Sequence, residues 1–162
     1  MAIATSDFVG VKGEREIVSS RTFAAPRARV WEAWLDPVQL SQWWGPDGFT
    51  TTTQELDLRV GGMWRFVMHG PDGANYPSEC EFTEVEPMER VSVRMTGGKD
   101  DGRRVQMERT MTWEEVDGGT RMSIHMTFPT QDERDFVVAV HGALRGSEQM
   151  HERLAKLLAN ER

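Results

Sequence analysis

Two runs of alternating residues meet at Asp117-Gly118, and that junction constrains the fold more than any other feature of the chain. An Asp-Gly pair supplies the positive φ angles of a two-residue hairpin turn, whose twist matches that of paired strands. A turn there sets Val116 opposite Gly119. Trp113 then faces Met122, Met111 faces Ile124, Arg109 faces Met126 and Met107 faces Phe128. The other face pairs Glu114 with Arg121, Thr112 with Ser123 and Thr110 with His125. One face is apolar apart from Arg109; the other is polar and carries an opposite-charge pair. An apolar sheet face has to be covered.

The rest of the chain supplies more strands and one large cover. Residues 15–23 alternate as a strand with Ile17, Ser19, Arg21 and Phe23 on one face. Pro26 suits the first turn of a short helix in which Val30–Trp34 and Trp31–Leu35 are i,i+4 pairs. Asp36-Pro37 caps and opens a second short helix that Gly45-Pro46 ends. Strands follow at 51–58, 63–69, 74–85 and 90–96, before the final hairpin. Pro71-Asp72-Gly73 suits a bulged hairpin that sets Met68 opposite Tyr76, Phe66 opposite Ser78 and Trp64 opposite Cys80.

Residues 131–159 read as one long helix of roughly 40 Å, at 1.5 Å per residue. Phe136, Val140, Ala143, Ser147, Met150, Leu154 and Leu157 form its apolar stripe, and Gly142 and Gly146 soften its middle. Short turns make the strands antiparallel. The expected fold class is α+β: a curved antiparallel sheet of about seven strands around a long C-terminal helix, with two short helices after the first strand. A curved sheet does not close completely on one straight helix, so a cavity is expected between them. Residues 1–13 read as a loosely ordered tail and 14–162 as a single domain.

Composition narrows the partners. Nineteen Lys and Arg against 26 Asp and Glu give a net charge of −7, which repels phosphate backbones and argues against nucleic-acid binding. No apolar run reaches the ~18 residues of a membrane-spanning helix, so no membrane insertion is expected. The first residues lack the basic and apolar regions of a signal peptide. The single cysteine fits a reducing compartment, and the expected localisation is cytoplasmic.

The runs RTFAAPRARVWEAWLDPVQLSQWWGPDGFT (21–50) and ELDLRVGGMWRFVMHGPDGANYP (55–77) resemble bacterial proteins homologous to the C-terminal domain of the activator of heat-shock-protein-ninety ATPase. That family lies within the START-like, birch-pollen-allergen-like superfamily. The resemblance implies a helix-grip fold with a hydrophobic cavity between sheet and C-terminal helix. Across that superfamily the ligands include lipids, sterols, polyketides and plant hormones. Many relatives carry Gly-Trp near the middle of the last helix, where this chain reads Gly146-Ser147; the smaller residue implies a roomier pocket.

No catalytic or metal constellation is legible. His69, His125, His141 and His151 are scattered, and neither HExxH, GxSxG, a P-loop nor GxGxxG occurs. No cofactor, metal or catalytic residue is expected. Cys80 faces Trp64 as a small core residue, and His125 lies on the polar sheet face. His141 lies beside the helix stripe as a candidate general base. Trp43 and Trp44 either gate a pocket or fill the end of the sheet, and the two are compatible.

The inward residues that would line a ligand cavity are Trp64, Phe66, Met68, Tyr76, Met107, Arg109, Met111, Met122, Ile124 and Met126, facing Val140 and Ser147 on the helix. The methionines suit an adaptable binding wall and equally suit core filling. For Arg109 three placements are open: extended to water at the sheet edge, paired with an acid, or pointing into a wet part of the cavity to orient a ligand carbonyl or carboxylate. The leading functional expectation is a protein that binds a small apolar or amphipathic molecule. A cyclase- or dehydratase-like enzyme, with Arg109 and Tyr76 or His141 as its polar set, is the second. A chaperone-contacting domain is the third; here the chain lacks the N-terminal domain of the two-domain activator.

Overall fold

The computed structural model describes residues 8–160. Eight strands form one antiparallel sheet: β1 (Phe8–Lys12), β2 (Glu16–Phe23), β3 (Thr50–Leu56), β4 (Met63–His69), β5 (Asn75–Glu86), β6 (Arg90–Gly97), β7 (Val105–Val116) and β8 (Gly119–Thr127). Their spatial order is β1-β2-β8-β7-β6-β5-β4-β3. Helices α1 (Arg27–Leu35) and α2 (Pro37–Trp43) connect β2 to β3, and α3 (Gln131–His141) and α4 (Ala143–Ala159) end the chain. This is the helix-grip α+β fold. None of the described helices is long and apolar enough to cross a membrane.

The local chemistry accounts for most of this. The Asp117-Gly118 hairpin has the expected register, with Trp113 opposite Met122, Met111 opposite Ile124 and Arg109 opposite Met126. The bulged hairpin sets Met68 opposite Tyr76 and Trp64 opposite Cys80. Asp36 caps α2 by accepting the Val38 N–H at 3.0 Å, with Pro37 opening the helix.

Two expectations are corrected. The sheet has eight strands rather than about seven, because residues 8–12 of the expected tail pair along β2 as an edge strand; the rest of the tail up to residue 7 lies outside the described residues. The long terminal helix is two helices. Gly142 sits in the left-handed region at φ 61°, ψ 41°, where its N–H closes α3 on the Val137 carbonyl. Glycine adopts that conformation without the Cβ penalty. The break resets the helical phase, so the stripe drawn on one straight helix fails in α3. Val137 is buried there, while Val140 is 63% exposed. In α4 the stripe holds, with Ser147, Met150 and Leu154 buried.

The space between sheet and helices divides into a filled end and an open end. All six tryptophans of the chain are buried, and four of them, Trp31, Trp34, Trp64 and Trp113, close the filled end. Trp31 meets Trp113 edge-on at 4.8 Å and Trp34 meets Trp64 edge-on at 5.4 Å, arrangements worth about 0.5–1.5 kcal/mol each beyond area burial. Helix α1 carries Trp31 and Trp34 onto the sheet there. At the other end aromatic side chains stand around a space they do not fill.

Candidate functional site

The open end is a cavity of about 480 Å³. That lies within the roughly 300–1,000 Å³ of small-molecule sites. Its sheet wall is Met68 on β4, Tyr76 and Ser78 on β5, Met95 on β6, Met107 and Arg109 on β7, and Ile124 and Met126 on β8. Its helical wall is Val137, Val140 and His141 from α3, then Gly146, Ser147 and Met150 from α4. The loop after α2 supplies a third wall through Trp44, Pro46 and Phe49.

That loop is tied to α4 by backbone recognition. Arg153 donates to the carbonyls of Gly45, Pro46 and Phe49 at 2.9, 2.8 and 2.8 Å, and Gln149 Oε1 accepts the Asp47 N–H at 3.0 Å. Gly146 makes the approach possible: a Cβ there would stand 3.1 Å from Pro46 Cγ. Trp44 therefore serves the pocket wall, while Trp43 is wholly buried and donates its indole N–H to the Ala33 carbonyl at 2.9 Å.

The expected cavity residues separate along their strands. Met68, Tyr76, Met107, Arg109, Ile124, Met126, Val140 and Ser147 line the cavity. Trp64, Phe66, Met111 and Met122 do not; they lie wholly within the filled end. Strand alternation gave each the correct face. Position along the strand decides which end it serves, and the docking of α1 and its tryptophans fixes that. Sequence reasoning raised Trp44 as a pocket residue but missed Phe49, Met95, Val137 and Met150. Of these, Met150 was already on the stripe and Met95 continues the inward set of β6, so both were findable.

Arg109 has no acidic partner among the described residues, and its side chain borders the cavity. It is half-buried beside the cavity, with its guanidinium carbon 5.2 Å from the centre of the Trp44 ring. Its Nη2 donates to the thioethers of Met107 and Met126 at 3.8 and 3.9 Å, which are weak acceptors. Nε and Nη1 are buried and have no hydrogen-bond partner among the described residues. Burial pushes its pKa down; the Cys80 thiol is the one group that acts in the other direction. Cys80 is itself buried and pushed up to about 12, so it is a neutral thiol.

His141 ends α3 with its ring edge-on to Phe136 at 5.3 Å and to Tyr76 at 6.2 Å. Burial lowers its pKa from the ordinary histidine value, so it is neutral at neutral pH. His125, by contrast, pairs with Glu16 on the outer face, and His151 is buried against Ser19 Oγ at 3.1 Å. Among the described residues no group of three His, Cys, Asp or Glu side chains is placed to hold a metal.

Residues 24–159 match the family model described as Activator of Hsp90 ATPase homolog 1-like protein. The chain belongs to that family. Solved relatives share the fold closely. A crystal structure of a protein from Mycobacterium smegmatis is 29% identical, with a TM-score of 0.82 over 94% of this chain and 96% of that one. A solution structure from Arthrobacter aurescens is 26% identical, with a TM-score of 0.83 over 95% and 92%. A crystal structure of the AHSA1 protein from Silicibacter pomeroyi is 26% identical, with a TM-score of 0.71 over 91% and 99%. No curated protein matches. In this AHSA1-like chain the family match begins at Ala24 and spans both short helices, the cavity loop and the two terminal helices.

Proposed function

We propose that this AHSA1-like protein binds a small, mainly apolar molecule in the cavity between its sheet and its terminal helices. The observation that carries this reading is the open end of the core. A chain that packs four tryptophans tightly at one end leaves about 480 Å³ unfilled at the other, behind methionine and aromatic walls. Interiors otherwise pack to crystal-like density, and a void of this size forfeits contacts unless something occupies it. Flexible, polarizable methionines suit a wall that adapts to its guest. Native mass spectrometry of protein purified from its own host is expected to release a small co-purified molecule. Titration with the neutral dye Nile red is expected to saturate at one site per chain. A native protein that neither carries nor saturably binds an apolar molecule overturns the reading.

The family match carries a second reading, contact with a chaperone ATPase. Its test is ATP turnover by a purified chaperone of that class, with and without this protein; a stimulated rate supports it and an unchanged rate removes it.

A further inference from the structure

We infer that the cavity's occupant is an amphipathic anion, an apolar chain ending in a carboxylate, with the carboxylate held by Arg109. The inference rests on the ligand-binding reading above and specifies the chemistry of its guest. Three observations converge on it.

The first is the unspent hydrogen-bonding capacity of Arg109. A guanidinium presents five N–H donors in a planar fork and stays protonated. Here two of its nitrogens are buried without partners and the third reaches only two thioether sulfurs. Burying an ion costs several kcal/mol unless a counter-charge and hydrogen bonds offset it. Other arginines on this chain have partners of one kind or the other: Arg65 holds Glu55 and Glu79, Arg90 holds Glu84, Arg121 holds Glu114, and Arg153 holds three backbone carbonyls. Arg109 has no ion-pair partner among the described residues.

The second is the charge of the wall. The chain has 26 acidic residues and a net charge of −7, yet no Asp or Glu among the described residues lines the cavity. Arg109 lies inside, and Arg145 stands exposed at the border. The local sign is the reverse of the whole molecule's.

The third is the surroundings of the charge. Trp44, Met107 and Met126 flank the half-buried guanidinium, an apolar setting that strengthens a pair with a bound carboxylate relative to open water. Met68, Met95 and Met150 are left for an alkyl or aryl body. A planar fork matches a carboxylate with two parallel hydrogen bonds.

Decanoate, 1-decanol and decylamine share one tail and differ in headgroup charge, and calorimetry on the full chain compares them. The wild type is expected to bind decanoate roughly tenfold to a hundredfold tighter than 1-decanol, the worth of hydrogen bonds to a charged group, and to bind decylamine weakest. Arg109→Met is expected to erase the preference while 1-decanol affinity stays. Arg109→Lys keeps the charge without the fork and is expected to retain part of the preference; it serves as the second variant if Arg109→Met does not fold. Equal wild-type affinity for decanoate and 1-decanol overturns the headgroup assignment and leaves the apolar cavity reading standing. Loss of both ligands in a folded Arg109→Met overturns it by making Arg109 a structural residue. Failure of all three probes and of Nile red in the wild type overturns the cavity reading itself, and this inference with it.

Discussion

Ser147→Trp tests whether the unfilled end of the core is the binding site. Ser147 lies on α4, is 8% exposed and borders the cavity. An indole brings roughly 150–250 Å² of apolar surface. At about 25 cal/mol per Å² its complete burial is worth about 4–6 kcal/mol, an upper bound because the unfolded chain already buries part of that surface. Overpacking opposes this by about 1–3 kcal/mol, and fixing the ring's rotamer opposes it further. The two sides nearly offset, so stability is expected to stay within about 3 kcal/mol of wild type. For a chain of this size that is a melting shift of no more than roughly 10 °C. Ligand binding responds differently, because the ring takes space inside the 480 Å³ that a guest needs. Nile red affinity is expected to fall by about tenfold or more, equivalent to ~1.4 kcal/mol. Ser147→Ala, which leaves the space open, is expected to change neither quantity. A folded Trp variant that binds the dye as tightly as wild type would show that Ser147 does not face the binding space.

Three further outcomes follow from the same geometry. Gly142→Ala puts a methyl where nothing lies within 4 Å, so its cost is the left-handed backbone alone, about 1–2 kcal/mol; the melting temperature is expected to drop by about 2–8 °C, and an unchanged or higher value means that α3 and α4 are one helix. Trp64→Ala, in the filled end, is expected to cost about 3–5 kcal/mol in urea unfolding, whereas Met68→Ala, on the cavity wall, costs less than half as much and alters dye affinity; equal costs would dissolve the distinction between the two ends. Cys80, pushed up to about 12 by burial, remains a neutral thiol at about pH 8 and is expected to resist Ellman's reagent until the protein is unfolded; rapid labelling of the native state contradicts its placement.

The sheet was legible because its evidence is local. Asp117-Gly118 and Pro71-Asp72-Gly73 each fix a register within a few residues, and alternation then assigns every side chain on the two hairpins to a face. The division of the inward face into filled and open ends was not legible. It depends on where α1 sets Trp31 and Trp34 against Trp64 and Trp113, partners far apart in the chain. Trp64 and Met68 have the same strand parity and differ only in distance from that cluster. The helix break is an intermediate case. Gly142 marked a weak point, but a lone glycine inside a helical pattern is compatible with a continuous helix, and only the geometry selects the αL conformation. Phe8–Lys12 escaped notice because an exposed five-residue edge strand has little apolar alternation to reveal it.

Three departures from local rules border the cavity. The cation left without a counter-charge, Arg109, borders it. So does Gly142, whose left-handed backbone interrupts the terminal helix. Gly45 sits at φ 108°, where a Cβ would come within 2.6 Å of Met68 Cε, and it belongs to the same wall. At the opposite end tryptophans interlock, helix α2 is capped and outward charges pair across neighbouring strands, while the buried indole N–H groups of Trp34, Trp64 and Trp113 lack partners among the described residues. An unpaired cation beside an unfilled space is what the binding reading explains and a packing defect does not. It also predicts how the two differ under mutation: apolar replacement of Arg109 is expected to hold or raise stability while weakening an anionic guest, the opposite of what removing a well-packed core residue does.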